Sequence, residues 1–175
     1  MRKIALALFL LLLTSCSSST KETAGTVVSC LSITHDINSI NGIDLGCLDG
    51  GKGVQLNALR GPMIINVWGS WCAPCKEEMP ILRSFYDKAA GKLQLIGVDV
   101  EEASIKDGRL FVQTHGVTWP NLFDSDGRSR AYFGIGVPVT WFIAADGSVV
   151  YKKIGPFKNE IELITLTSKY LGLKL

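Results

Sequence analysis

Two cysteines, Cys72 and Cys75, are separated by two residues and lie between two regular segments. Residues 63–68 are apolar and rich in β-branched side chains, which predicts a buried strand, and the apolar spacing after Cys75 predicts a helix. Cys72 is therefore expected at the N-terminus of that helix, where free N–H groups and the helix dipole favour a thiolate. Cys75 follows at i+3 on the same helix face, within reach of a disulfide. We interpret Cys72 as the attacking sulfur and Cys75 as the resolving sulfur.

The same spacing occurs in zinc sites, which need further ligands. Those ligands usually come from a second closely spaced pair. Cys30 and Cys47 are too far apart in the sequence to form such a pair, and the two histidines, His35 and His115, are isolated. We therefore predict redox chemistry at Cys72 and Cys75, with no metal and no cofactor beyond the redox-active disulfide itself.

The first 26 residues have the pattern of an exported protein. A basic start is followed by an uncharged apolar run over residues 4–13, which has the length of a signal-peptide core and is too short to span a membrane. The run ends in Leu13-Thr14-Ser15-Cys16, which resembles the lipobox of bacterial lipoproteins and implies lipidation of Cys16. Ordinary cleavage that leaves Cys16 as an odd thiol is the alternative. The polar residues 17–26 suit a tether.

Length and composition predict one domain, and the net charge does not indicate a strongly charged binding partner. The 175 residues are enough for a single core, and 18 Lys+Arg against 16 Asp+Glu give a net charge of +2, which excludes a basic field for nucleic acid. We divide the chain into a signal peptide (1–15), a tether and poorly defined segment (16–41) and a domain (42–175).

In an exported protein Cys30 and Cys47 could form a structural disulfide, remain as thiols or act as a second redox pair. The oxidising environment outside the cytoplasm favours the structural disulfide.

The predicted order of elements is a β-hairpin, a β-α-β unit, a further helix and strand, a second hairpin and a final helix. The first hairpin covers residues 43–56, and residues 27–31 are read as a short strand before it. The second hairpin turns at Asp146-Gly147, and the final helix covers residues 158–171. Four apolar residues of that helix are expected to face the sheet: Ile161, Ile164, Leu166 and Leu171. This order predicts an α/β domain with a mixed central sheet and helices on both faces.

Residues 66–80, which include Trp71-Cys72-Ala73-Pro74-Cys75, and residues 134–143 downstream together resemble the thioredoxin fold in its membrane-tethered, extracytoplasmic branch, the TlpA/ResA type. The resemblance covers roughly residues 43–171 and implies a thioredoxin-like fold with an N-terminal β-hairpin extension. It also implies a cis Val137-Pro138 bond opposite the cysteines, with the backbone of Val137 pairing with an extended substrate. Trp71 and Trp68 are expected at the apolar rim of the substrate site.

Two residues depart from the cytoplasmic thioredoxins that the chain resembles. Those proteins carry a buried Asp where this chain has Asn66, which cannot titrate. The tethered branch often places a Glu three residues after the second cysteine, here Glu78. A partly buried carboxyl at that position would have a raised pKa and could exchange protons with the thiol of Cys75. The alternative is a solvated surface residue like Glu77.

The resemblance implies a thiol-disulfide oxidoreductase anchored to the outside of the cell membrane as a lipoprotein. Its expected substrates are disulfides or dithiols of exported proteins, such as apocytochrome c, and its expected redox partner is a membrane electron-transfer protein. The direction of electron flow depends on reduction potential, so a disulfide oxidase or isomerase stays open. A further alternative is a non-catalytic thioredoxin-like lipoprotein that holds a metal or a client peptide.

Overall fold

The computed structural model describes residues 24–39, 42–134 and 136–175. The strands are β1 Gly46–Cys47, β2 Met63–Trp68, β3 Gln94–Val100, β4 Asn121–Asp124, β5 Val139–Ile143 and β6 Val149–Ile154. The α-helices are α1 Ala73–Ala89, α2 Ile105–Thr114, α3 Arg130–Phe133 and α4 Glu160–Leu171, and 3-10 helices cover Cys30–Ser32 and Leu56–Ala58. None of the helices within these ranges has the length and hydropathy needed to cross a bilayer.

The six strands form one mixed sheet in the order β1-β4-β3-β2-β5-β6. Strands β2, β3 and β4 are parallel neighbours, whereas β5 pairs antiparallel with β2, β6 with β5, and β1 with β4. The chain crosses from β2 to β3 through α1, as the predicted β-α-β unit requires. The prediction of a mixed sheet is confirmed.

Both faces of the sheet are covered, and alternate residues of β2 point to each of them. Ile64 and Trp68 belong to a cluster with apolar side chains of α1, α2 and α4. Residues on the other face, such as Ile65, belong to a cluster with Leu59 and with Phe133 of α3. All six residues of β2 are buried, because a central strand with two covered faces has no solvent side. Helices on both faces were predicted, and this is confirmed.

The segment before β2 is less regular than predicted. The first hairpin is short: Leu45 N–H donates to the carbonyl of Val54, and β1 pairs with β4 at the edge of the sheet. The strand predicted for residues 27–31 is wrong, because a 3-10 turn begins at Cys30. There the Ser29 side chain accepts from Leu31 N–H, and Cys30 N–H donates to the sulfur of Cys47. These local partners replace the hydrogen bonds that a strand would make.

The buried face of the final helix α4 was predicted correctly in part, because Ile164, Leu166 and Leu171 are partly buried and pack against the apolar cluster that contains Cys75. Ile161 was expected to face the sheet and is 74% exposed, whereas Leu163 is 0% exposed. The second buried residue of α4 is Thr167, whose hydroxyl donates to the carbonyl of Leu163 one turn earlier. A threonine that satisfies its hydroxyl within the helix can be buried. It breaks the apolar pattern that we used to assign the buried face.

Candidate active site

Cys72 and Cys75 form a disulfide at the N-terminus of α1, with 5.3 Å between their Cα atoms. Cys72 is the N-cap residue, and its Sγ accepts a hydrogen bond from the backbone N–H of Cys75 across 3.1 Å. Pro74 occupies the first turn, where a residue without an N–H is tolerated. In the reduced protein the N–H of Cys75 and the helix dipole stabilise a thiolate on Cys72. Cys72 is 3% exposed and Cys75 is 0% exposed, so a partner reaches Cys72 first.

The loop between β2 and α1 holds Trp71 beside this disulfide. Trp71 is 55% exposed, and its Nε1 donates to the carbonyl of Val100 across 3.4 Å. A Cβ on Gly69 would lie 2.6 Å from the same Nε1, so the indole covers the glycine closely. The carbonyl of Gly69 accepts from Cys72 N–H across 3.0 Å, which fixes the entry into α1. Trp71 therefore offers an apolar surface next to the cysteines, where the sequence placed it.

Trp68 does not lie at the rim, and the prediction that placed it there is wrong. It is buried on the sheet face that α1 and α2 cover, stacked on Phe111 with ring centroids 4.3 Å apart. Its Nε1 donates to Oδ1 of Asn121 across 3.0 Å. Trp68 is the last residue of β2, and the alternation along that strand places its side chain on the same sheet face as Ile64.

Glu78 lies one helical turn after Cys75 and is buried, with an exposure of 1%. Oε1 accepts a hydrogen bond from Nδ2 of Asn66 across 2.8 Å, and Oε2 accepts from Phe157 N–H across 3.2 Å. Burial raises the pKa of Glu78 to about 7, although both hydrogen bonds and the charge of Lys153 act to lower it. A carboxyl with this pKa can take up and release a proton near neutral pH. Glu77, in contrast, is exposed.

Asn66 connects the sheet to this carboxyl. Its Nδ2 donates to Glu78 and also to Oγ1 of Thr140 on β5, across 3.1 Å. Its Oδ1 is buried and has no hydrogen-bond partner among the residues that the structure describes. The residue that replaces the titrating Asp of cytoplasmic thioredoxins is thus a direct neighbour of Glu78, a contact that the sequence analysis did not anticipate.

The Val137-Pro138 bond is cis, as the resemblance implies. Val137 is half-buried and packs against the apolar cluster that contains Cys72 and Cys75. Pro138 is buried, and its carbonyl accepts from Gly155 N–H across 2.9 Å. This side of the cysteine pair is therefore formed by the segment that leads into β5.

Cys30 and Cys47 form a second disulfide, and both are buried. It joins the 3-10 helix near the N-terminus to β1 at the edge of the sheet, so residues 24–39 are attached to the domain. Cys16, the predicted lipidation site, lies outside the described residues. Within the described ranges, no group of three or more His, Cys, Asp or Glu side chains is placed to hold a metal ion.

Two acidic residues near the cysteine loop, Glu102 and Asp99, were not predicted to have a role. Glu102 accepts hydrogen bonds from the backbone N–H and the hydroxyl of Ser70, two residues before Cys72. Asp99, in β3, is buried, and burial together with the nearby Glu102 raises its pKa to about 9. The sequence signal for Asp99 was its position as an acidic residue in the otherwise apolar second half of β3.

Known proteins resemble this chain in both sequence and structure. The thiol-disulfide oxidoreductase ResA of Bacillus thuringiensis (strain Al Hakam) is 34% identical over 113 residues, which are 63% of this chain and 65% of that protein. The match therefore spans less than two thirds of this relative. The solved structure of StoA from Bacillus subtilis aligns with a TM-score of 0.58 and 26% identity, over 69% of this chain and 92% of StoA.

A second solved structure and a family model agree with this similarity. The solution structure of a thioredoxin-like protein from Porphyromonas gingivalis aligns with a TM-score of 0.61 and 22% identity, over 76% of this chain and 92% of that protein. These alignments confirm the predicted thioredoxin-like fold. Residues 40–152 match the model of the AhpC/TSA family, which is more than half of the sequence. The chain belongs to the AhpC/TSA family.

Proposed function

We propose that the protein is a thiol-disulfide oxidoreductase that works through the Cys72–Cys75 couple. One observation carries this proposal: the disulfide lies at the N-terminus of α1, with a buried Glu78 one turn further along the same helix. The helix terminus favours a thiolate on the outer cysteine, and the carboxyl can take the proton of the inner one. The similarity to a relative named thiol-disulfide oxidoreductase supports the same activity.

In the reducing direction the Cys72 thiolate attacks one sulfur of a client disulfide. A mixed disulfide forms, and the second client sulfur leaves as a thiolate that takes a proton from water. The thiol of Cys75 then gives its proton to Glu78 and attacks Sγ of Cys72. The client leaves as a dithiol, and Cys72–Cys75 is oxidised, so two electrons pass from the protein to the client.

Exposed apolar surface and backbone at the site suit a polypeptide client. Trp71 presents its indole beside Cys72, and the Val137-Pro138 segment borders the cysteine cluster. An extended client could lie along the backbone of Val137 as an added strand, with an apolar side chain against Trp71. Val137, Pro138 and Trp71 are the substrate-binding residues of this proposal.

The proposed location is the outer side of the cell membrane. The signal-like residues 1–15 and the lipobox-like residues before Cys16 support export and a lipid anchor. At that location the protein would meet disulfides of exported proteins, such as apocytochrome c, because disulfides persist outside the cytoplasm. A membrane electron-transfer protein would return electrons to Cys72–Cys75. Fatty-acid labelling in cells that is absent from Cys16→Ser would support the anchor, and equal labelling of both forms would exclude it.

The activity is tested by insulin reduction with the wild type, Cys72→Ser and Cys75→Ser. We expect turnover by the wild type, none by Cys72→Ser, and a trapped mixed disulfide with Cys75→Ser. Activity that survives Cys72→Ser would remove the assigned nucleophile. Inactivity of all three together with stoichiometric bound metal would favour the metal-binding alternative.

A redox titration of the Cys72–Cys75 couple decides the direction of electron flow. A midpoint near that of thioredoxin, about −270 mV, would support a reductant. A midpoint near that of DsbA, about −120 mV, would support the oxidase alternative.

A further inference from the structure

Three residues in adjacent strands form a polar row across the sheet. Asn66 of β2 lies opposite Thr140 of β5, and Thr140 lies opposite Lys153 of β6. Residues directly opposite each other in antiparallel strands have their side chains on the same face. Nδ2 of Asn66 donates to both Glu78 and Thr140, so this is the face that carries Glu78. The row therefore runs from the site of Glu78 to Lys153 on the edge strand.

Two consecutive backbone amides after β6 connect Glu78 to the start of α4. The N–H of Phe157 donates to Oε2 of Glu78 across 3.2 Å, and the N–H of Lys158 donates to Oε2 of Glu162 across 2.7 Å. Phe157 is buried in the apolar cluster that contains Cys75. Carboxyl groups from α1 and α4 thus hold neighbouring peptide units, which places Glu78 close to the first turn of α4.

The ammonium of Lys153 contacts both parts of this arrangement. Nζ forms an ion pair with Oε1 of Glu162 across 3.3 Å and lies 5.3 Å from the centroid of the Phe157 ring. The side chain of Lys153 is 13% exposed, although a lysine on an edge strand can extend into solvent. Charged and aromatic partners replace the water that a buried ammonium loses. Lys153 is therefore held beside the residue whose N–H binds Glu78.

Lys153 is the cation that acts on Glu78. The polar and charged side chains of the surrounding elements are the exposed Lys76 and Glu77 of α1 itself, Asn66 of β2, Thr140 of β5, Lys153 of β6 and Glu162 of α4. Asn66 and Thr140 are neutral, and the charge of Glu162 is paired with Lys153. Burial raises the pKa of Glu78 to about 7, and its two hydrogen bonds and then the charge of Lys153 act to lower it.

We propose that Lys153 is a positioning residue for the proton step at Cys75, because its ammonium helps to keep Glu78 ionised. Glu162 anchors that ammonium. The role in the reaction rests on the proposed function, whereas the electrostatic link between Lys153 and Glu78 does not. In the step itself the proton passes from Sγ of Cys75 to the carboxylate of Glu78, and Lys153 neither gives nor takes one.

The electrostatic link is tested by following the side-chain carboxyl carbon of Glu78 by ¹³C NMR from pH 4 to pH 10 in the oxidised protein. Lys153→Met keeps the length of the side chain and removes its charge. We expect it to raise the titration midpoint of Glu78 by about half to one pH unit, because a nearby cation favours the carboxylate. Lys153→Arg keeps the charge and should match the wild type. An equal midpoint in the wild type and Lys153→Met would overturn the proposal.

Lys152→Met is the matched control. Lys152 precedes Lys153 in β6, but its ammonium lies on the opposite sheet face, 3.9 Å from the centroid of the Trp141 ring. The substitution removes the same charge from the same strand, and we expect the midpoint of Glu78 to stay within about 0.2 pH unit of the wild type, because solvent and salt screen distant charges. An equal rise in Lys152→Met would assign the effect to net charge, and an equal rise in Lys153→Arg would assign it to packing. Either result would overturn the proposal.

The consequence for the reaction is measured separately, as the rate of client release from a Cys72 mixed disulfide. A midpoint raised by about half to one pH unit from about 7 lowers the ionised fraction of Glu78 at pH 7 about two- to fivefold. Lys153→Met should slow release by that factor at pH 7 and approach the wild-type rate at pH 9. Lys152→Met should retain the wild-type rate at both pH values.

The pH dependence separates this role from a merely structural one. A distorted site would slow release in Lys153→Met by the same factor at pH 7 and at pH 9, and that result would overturn the positioning role. A wild type without any Cys72-dependent turnover would refute the proposed function. The NMR titration would then still decide whether the charge of Lys153 acts on Glu78.

Discussion

Asn66 donates a hydrogen bond from Nδ2 to Oε1 of Glu78 across 2.8 Å, between β2 and α1. The contact pairs a group that never titrates with one whose pKa is raised by burial to about 7. An amide donor favours the ionised form of Glu78 but cannot exchange a proton with it. The pair therefore holds either one proton or none, and within the pair only Glu78 can take up a proton.

Glu78→Gln should slow the resolving step, because the variant lacks the carboxyl that we propose as the acceptor of the Cys75 proton. We expect the rate of release from a Cys72 mixed disulfide to fall about 10- to 100-fold at pH 7, within the usual range for general acid-base catalysis. The inflection near pH 7 should disappear from the pH profile. Single-turnover stopped-flow kinetics from pH 5.5 to pH 9 measures both.

Glu77→Gln is the matched control, since Glu77 is the exposed neighbour on the same helix. It removes the same charge from the first half of α1 and should leave the rate within about twofold of the wild type. An unchanged pH profile in Glu78→Gln, or an equal loss in Glu77→Gln, would exclude Glu78 as the proton acceptor.

Asn66→Asp should raise the pKa of Glu78 further. The substitution replaces a donor at 2.8 Å with a second buried carboxyl, and two carboxyls at that distance share a proton rather than both ionise. The pH at which resolution reaches half its maximum should move to higher values, with slower turnover at pH 7. A pH–rate profile of this variant checks the shift, and a move to lower pH would contradict it.

Stability should also depend on pH through Glu78. Its pKa is about 7 in the folded protein and 4.5 as a model value, so the folded state binds more protons between these values. The free energy of unfolding therefore falls as pH rises from 4.5 to 7, by up to roughly 3 kcal/mol for this group. Asp99, whose pKa is also raised by burial, adds a further fall that extends to about pH 9.

The contribution of Glu78 is isolated by subtracting the wild-type curve from that of Glu78→Gln. The difference in unfolding free energy should shift in favour of the variant between pH 5 and pH 8, and then level off. Urea unfolding of the oxidised proteins at pH 5, 6, 7 and 8 gives the curves. Parallel curves over this range would mean that Glu78 has an ordinary pKa.

The features predicted from sequence are those that depend on local chemistry. A strand that leads into Cys-x-x-Cys placed Cys72 at a helix N-terminus, and Asp146-Gly147 placed the turn between β5 and β6. In each case the signal and its physical cause lie within a few residues of each other.

The features that were missed depend on what lies across the sheet or at its end. Whether Trp68 faces the rim or the core depends on α2, whose Phe111 covers it. The contact of Ser70 with Glu102 joins residues that are 32 positions apart. The spacing of apolar and polar residues along the sequence does not indicate a contact between residues so far apart. The family resemblance marked Asn66 as unusual, but its contact with Glu78 joins a strand to a helix and has no signal in the local sequence.

Removal of the second disulfide should destabilise the domain without stopping the chemistry. Cys30 and Cys47 are 17 residues apart in sequence and buried, and closing a loop of this length stabilises by about 3 kcal/mol. We expect Cys30→Ala with Cys47→Ala to lower the unfolding free energy by about that amount. Insulin reduction should stay within about twofold. Loss of activity in a folded double variant would instead support the second redox pair.

Two residues of α4 provide a paired test of which side of the helix is buried. Leu163 is 0% exposed within the cluster that contains Cys75, so Leu163→Ala leaves a cavity and should lower the unfolding free energy by about 3 kcal/mol. Ile161→Ala, on the exposed side of the same helix, should change it by less than about 0.5 kcal/mol. Guanidinium unfolding of both variants measures the contrast. If Ile161→Ala were the more destabilising, the side of α4 that carries Leu163 and Thr167 would not be the buried side.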